Sequence, residues 1–503
     1  MDSRSEVGRQ AQILKIWPCV LVLGVLCCCS SSNTTMTGRT PDFSLSLSGQ
    51  YVFAPVGVSS GNVQLSVVSS NGFSQPVTVS ISALPMGVTS TPISPFMMDA
   101  GTSQTVSFSA STGTKPFLQQ LLFQATSGTL SHSAAISLSV ANPVYAYVAS
   151  GNPPPNNILG YSVDANSGKV WDLSGPPFNL PNSPDDIVVA SETGGAFLFA
   201  LTSDETSQGS RTLSSYKVDI ASGALTLLQT IQYQPGGNQN YMAVHPSGQF
   251  LYLTQSACTL AYTIDPATGN LTQSSCSGGG VLPAFAPPGN YAFGSEPGFS
   301  SNLATYTVNQ NNGSLTLLQS IPIINSALGP LLLAIDPLGR ALYALQTGTG
   351  PSGCGSFSIW TIGPDTGLLT QTTSSTGTSF GDPCHPESIS FTLPDSFAYV
   401  LDLGGNSITY TPGFYAGAVD PASGNLTNVP GSPFATDDLP VFAVMEPSQG
   451  RFIIYVVRQG SGPPTITAWS INPNTGALKQ ASGVATALPV ASPLKMVIVA
   501  PQN

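Results

Sequence analysis

From Asp42 to Val140 the chain alternates apolar and polar residues in short runs such as "DFSLSLSG", "PVTVSISALPMGV", "SQTVSFSAS" and "HSAAISLSV". A period of two puts one side chain in a core and the next in water, so each run predicts a half-buried strand. Gly, Pro and Ser clusters separate the runs and supply the turns. Roughly 100 residues of such strands predict a small β-sandwich over 42–141.

From Pro143 onward the alternation continues, punctuated by one recurring hairpin. Its copies are "VDANSGKV" (Val163), "VDIASGALT" (Val218), "IDPATGNLT" (Ile264), "VNQNNGSLT" (Val308), "IGPDTGLLT" (Ile362), "VDPASGNLT" (Val419) and "INPNTGALK" (Ile471). Their glycines are 168, 223, 269, 313, 367, 424 and 476, spaced 44 to 57 residues apart. A strand precedes and follows each copy. Upstream of most lies a second hairpin, as in "YMAVHPSGQFLYLTQ" and "LLLAIDPLGRALYALQ". Four strands per repeat of about 50 residues is the pattern of a β-propeller blade. Seven copies predict a seven-bladed β-propeller over 143–503. The first repeat starts without an opening strand, and "SPLKMVIVAP" at the C-terminus supplies it, closing the ring and removing exposed sheet edges. The fold class is thus all-β, a propeller closed by its last strand behind a small sandwich.

Charge changes the picture of function. Only 7% of residues are charged, against roughly 25% in an average domain, and the net charge is −11. No basic patch exists to meet phosphates, which excludes nucleic acid as a partner. Arg4, Arg9 and Lys15 precede an apolar run at Ile16–Leu26 that has the length of a signal peptide. The run, the following "CCC" and the polar "SSSNTT" resemble a bacterial lipoprotein signal. This resemblance implies a signal over 1–29, lipidation at Cys29 (with Cys27 and Cys28 as alternatives), and a tether over 30–41. A plain secretory signal is the other reading. In either case the protein is exported, and in the first its only tie to the membrane is the lipid anchor. Four further cysteines in an exported chain favour disulfides. Counting outward along the "DPATG" hairpin pairs Cys258 with Cys276, and Cys354 with Cys384 brackets another repeat in the same way.

Residues 143–503 resemble the seven-bladed propeller lactonase family, which includes the propeller-type 6-phosphogluconolactonases. The resemblance rests on the "D-x-x-[ST]-G-x-L" hairpins and the "HPSGQFLYL"-type turns. Likewise "NGFSQPVTVSISALPMGV" resembles the Ig-like modules of bacterial surface proteins, which serve as spacers or as carbohydrate and protein contacts.

In a propeller, ligands bind where loops lead into the innermost strands. The polar residues in those loops are Asp185, Asp186, Asn240, Asp382, His385, Glu387, Asp437, Asp438 and Lys495. The catalytic candidates are His385 as general base, with Glu387, Asp186 or Asp437 in support. The family's His-Pro-type loop implies a place for His385 near the site. Asp185, Asp382, Asp438, Asn240 and Lys495 are ligand-binding candidates. His245 belongs instead to a turn at the opposite end, where other repeats carry Asp336 and Glu446. No cofactor is expected, although five of the aspartates could offer oxygens to Ca2+ without the spacing of a calcium loop. Lys495 is the one cation placed in these loops, which disfavours a phosphorylated substrate, as does export. Three functions remain open: an envelope protein, expected to be monomeric, that binds a small molecule, carbohydrate or protein surface at the channel mouth; a lactonase acting on an uncharged sugar lactone or ester; and a scaffold in a surface assembly.

Overall fold

The computed structural model describes residues 39–57, 61–151, 155–164, 167–173, 175, 177–192, 195–203, 211–233, 241–255, 257–295, 302–322, 331–346, 356–375, 385–392, 396–403, 412–436, 440–445, 453–458, 463–481, 485–490 and 492–500. All regular structure among them is β-strand. Two sheets come first, one ordered Asp42–Leu47, Gly61–Ser70, Ser103–Ala110, Val88–Thr91. The other runs Tyr51–Pro55, Leu130–Ala141, Phe117–Ser127, Val77–Ile81, Phe96–Met98. The predicted alternation sets their inner faces: Leu65, Val67, Val106 and Phe108 meet Val79, Leu121, Phe123 and Ile136 in one core.

Among the described residues, seven antiparallel sheets follow in chain order, each with four or five strands. Their inner strands are, from the second sheet to the seventh, Ser183–Glu192, Met242–Val244, Ala284–Ala286, Leu331–Ile335, Pro386–Phe391 and Pro440–Met445. The first sheet takes its inner strand from the C-terminus. Pro493–Val499 pairs with Val144–Ser150, Ala149 standing opposite Lys495 and Tyr145 opposite Val499. That last strand packs between the inner strands of the second and seventh sheets. The architecture is of the propeller type.

The recurring hairpin explains how the sheets hold one another. At all seven copies the glycine has φ between 65° and 76°, a left-handed conformation that side chains resist. Its N–H donates to the carbonyl four residues back, as from Gly269 to Asp265 at 2.7 Å. The Asp265 carboxylate also accepts the N–H groups of Ala267 and Thr268, which holds its pKa below the ordinary value. Packing adds a second demand for glycine. A Cβ on Gly269 would overlap the ring of Phe197, and one on Gly367 the ring of Tyr291, both on the preceding sheet. The peptide beside the glycine is then bonded across the gap. Tyr147 donates its hydroxyl to the Gly223 carbonyl, Tyr252 to Gly313, Tyr343 to Gly424 and Tyr399 to Gly476, at 2.6–2.9 Å. In the second and fourth sheets the equivalent residues are Phe199 and Phe293, which lack a hydroxyl. There a glutamine substitutes: Gln229 accepts from Leu271 N–H and donates to its carbonyl, and Gln319 does the same to Leu369.

A second set of buried groups closes the turns between the first and second strands. Asp336 accepts the N–H groups of Arg340 and Ala341, while Arg340 reaches the Pro421 carbonyl of the next sheet at 2.7 Å. His245, buried, occupies the same place in the third sheet, as expected of a turn residue. Its Nε2 lies 2.8 Å from the Gly289 carbonyl of the fourth sheet, and its Nδ1 lies 3.2 Å from the Ser247 N–H. A carbonyl only accepts and an N–H only donates, so the ring is neutral with its proton on Nε2. Burial holds its pKa below the ordinary value. Cys258 and Cys276 meet as predicted, with a Cα–Cα distance of 5.5 Å. The other predicted pair, Cys354 and Cys384, and Cys29 lie outside the described residues.

Two tests follow from these contacts. Gly72 has φ 80° with open space around it, so Gly72→Ala should cost about 1–2 kcal/mol for conformation alone. Gly269→Ala adds the collision with Phe197 and should cost about 2–5 kcal/mol in urea unfolding; equal losses at the two sites would refute the inter-sheet role. For His245, the unfolded chain takes up a proton below about pH 6.5 while the folded ring resists it. Stability should therefore fall as pH drops below about 6.5. His245→Gln should shrink the difference in Tm between pH 7.5 and 5.5, and an undiminished difference would exclude this histidine as the cause.

Candidate functional site

Pro386, Pro440 and Pro493 each open an inner strand, and Pro184 is the second residue of Ser183–Glu192. Proline has no N–H to give a ladder, so it suits the first position. In all four strands the pairing then skips one residue, a β-bulge that frees Asp185, Glu387, Val441 and Leu494. The next residues, Asp186, Ser388, Phe442 and Lys495, resume pairing. Asp185 and Glu387 are thus equivalent, as are Asp186 and Lys495. All four stand at the leading end of the inner strands.

The structure brings Asp186 and Lys495 together. Lys495 Nζ lies 2.5 Å from Asp186 Oδ1, and Asp186 Oδ2 accepts the Met242 N–H at 2.7 Å. One carboxylate therefore joins the inner strands of the first, second and third sheets. Asp186 is only 2% exposed, whereas the Lys495 side chain is 40% exposed. Burial pushes the Asp186 carboxyl up, opposed first by the Lys495 charge and then by its hydrogen bonds. Asp186 is thus enclosed by protein, and Lys495 is the member of the pair that faces outward.

Asp185 is also committed within the protein. It accepts from Ser203 at 2.9 Å and from Arg211 Nη1 at 2.9 Å, and burial raises its pKa against those bonds. Arg211 lies outside the leading loops, at the start of the strand Arg211–Val218. The register places it opposite Ser203, itself opposite Ser183, at the same end of the second sheet as Asp185.

Glu387 has no such partner among the described residues. It is exposed, yet the surrounding protein desolvates it enough to raise its pKa. His385 lies two residues before it. Its N–H points at both oxygens of Asp402, at 3.3 Å each, and its carbonyl accepts from Leu403 N–H at 3.0 Å. Its half-buried ring leaves Nδ1 without a hydrogen-bond partner among the described residues, and no hydrogen bond joins it to Glu387 there. Asp402 was not singled out in the sequence. It is 2% exposed and stands opposite Pro386, at the strand end where the first and second sheets carry Ser150 and Thr202. An acid at the strand position that faces Pro386 was the available signal. Asp382, Asp437, Asp438 and Asn240 lie outside the described residues. Among the described residues no group of three or more His, Cys, Asp or Glu gathers as a metal site.

No protein-family model matches the chain, and no curated protein matches it in sequence. Solved structures do match it in shape. The periplasmic gluconolactonase of Pseudomonas aeruginosa is 17% identical with a TM-score of 0.55, covering 72% of this chain and 100% of that one. A Bacteroides fragilis protein, provisionally assigned as a 6-phosphogluconolactonase, gives 15% identity, a TM-score of 0.54 and coverage of 71% and 98%. A Bacteroides uniformis protein of the same provisional assignment gives 18%, 0.53, and 71% and 99%. At such identities it is the fold that is shared: this chain carries the propeller-type fold of those lactonases.

Proposed function

We propose that the chain is an exported, lipid-anchored envelope protein. In this reading an Ig-like module (42–141) carries a seven-bladed propeller (143–503) that binds a small, uncharged, oxygen-rich ligand at the leading end of its inner strands. The observation that supports this is the Lys495–Asp186 pair. The buried carboxylate fixes the ammonium in place, and the ammonium keeps donors free for a ligand carbonyl or hydroxyl. Among the described side chains at this end, one outward cation offers less than a phosphate ester needs, which directs the reading to uncharged sugar lactones.

Glu387 favours lactone hydrolysis as a second reading. With its pKa raised, the carboxylate is a stronger base than an ordinary glutamate. It would take a proton from water as the oxygen attacks the lactone carbonyl, while Lys495 donates to the oxyanion. The ring C–O bond then breaks, and its oxygen leaves as a hydroxyl carrying the proton from Glu387. The product is a hydroxy acid.

The full chain should be titrated by calorimetry with a gluconolactone, the compound class in the Pseudomonas protein's name. Lys495→Gln preserves a hydrogen bond to Asp186 while removing the charge, and should weaken binding about tenfold, or about 1.4 kcal/mol. Unchanged affinity would remove Lys495 from the site. Should the wild type hydrolyse the lactone, Glu387→Gln should retain binding and lower the rate about 100-fold. The wild-type rate should climb with pH through an inflection above the ordinary glutamate value of about 4.3, as the base loses its proton. A slope that persists in Glu387→Gln would assign the base elsewhere.

A further inference from the structure

Trp171 departs from the pattern of the seven hairpins. Three residues after the hairpin glycine, the other repeats carry Thr226, Thr272, Thr316, Thr370, Thr427 and Lys479, all exposed. The first repeat places a half-buried indole there. Its ring stacks on Phe53 at 5.3 Å and 13°, and on Tyr51 at 6.4 Å and 14°. Both partners belong to the strand Tyr51–Pro55 of the N-terminal sheets. Lys169, from the same hairpin, sits 4.7 Å above the Tyr51 ring.

The hairpin aspartate departs as well. Asp219, Asp265 and Asp420 are exposed and cap their own turns. Asp164 is fully buried. It accepts from Ser167 of its own turn at 2.6 Å, but also from the Tyr51 hydroxyl and from Ser139 at 3.1 Å. Ser139 lies on Leu130–Ala141, the strand that leads almost directly into Val144–Ser150. Three side chains of one hairpin are thus committed to the N-terminal sheets.

The end of the sheet involved is equally specific. Val163, beside the hairpin, pairs with Val144, while Lys495 pairs with Ala149 at the other end of that strand. We infer that the first repeat's hairpin is a docking surface whose partner is the chain's own N-terminal sandwich, locking it as a rigid pedestal on the propeller face opposite Lys495 and Glu387. The stacked Trp171 and the buried Asp164 fix its orientation, and the leading end of the inner strands is left uncovered.

Small-angle X-ray scattering of the full chain tests this. The wild type should fit one fixed arrangement of the two parts. Trp171→Ala should require an ensemble, with a larger radius of gyration and a broadened distance distribution. Trp171→Phe, which keeps a stacking ring, should behave as the wild type, as should Thr272→Ala at the equivalent exposed position. A wild type that already requires an ensemble overturns the proposal, and so does a Trp171→Ala variant indistinguishable from it. If Trp171→Ala loses its cooperative melt, the double variant Tyr51→Phe/Lys169→Ala replaces it under the same two outcomes. It removes the hydroxyl bond and the ammonium while leaving both hydrophobic cores complete.

Discussion

The contact on which most of this molecule depends is the approach of a hairpin glycine to an aromatic ring on the preceding sheet. A propeller-type sheet buries both faces, so neighbours must meet closely, and a side chain at the hairpin would hold them apart. Glycine permits the approach and the left-handed turn in one residue. The tyrosine hydroxyl then satisfies the carbonyl that the approach would otherwise bury bare. Where Phe199 and Phe293 remove that hydroxyl, Gln229 and Gln319 anchor the same hairpin two residues along, through the backbone N–H and carbonyl of a leucine. The bond varies between repeats while the requirement it meets does not.

That constancy explains what was legible in the sequence. The glycine, the Asp or Asn four residues before it in six of the seven copies, and the following Leu or Val recur because local turn chemistry and inter-sheet packing both act on them, so counting them revealed the succession of sheets. The pairing of Ile264 with Leu271, and hence the meeting of Cys258 with Cys276, came from the same local geometry. The closing role of Pro493–Val499 was legible because the first repeat lacked a strand.

The leading end of the inner strands was less legible, for a physical reason. Asp186 and Lys495 are 309 residues apart, and nothing in their spacing announces a contact. Both were picked out as ionisable groups in equivalent loops, but spacing alone could not show that one is enclosed and the other open. The meeting of Arg211 with Asp185 was hidden because it depends on strand register. Asp402 went unnoticed because an acid at a strand end is ordinary until its burial is known. Glu387 and His385 were read as partners from their separation of two, whereas the bulge between Pro386 and Ser388 gives the glutamate an environment of its own.

The provenance of Lys495 has a bearing on how the protein comes into being. Its strand is made after the other described strands, and Ser150 must wait for the Ser492 carbonyl 342 residues downstream. At about 5–20 residues per second that is an interval of roughly 20–70 s, in which the Val144–Ser150 strand has no neighbour on its inner side. An unpaired strand of that kind is a template for foreign chains. A nascent chain of this design therefore passes through a vulnerable adolescence. Any product truncated before Ser492 would be both open-edged and without the outward-facing cation Lys495.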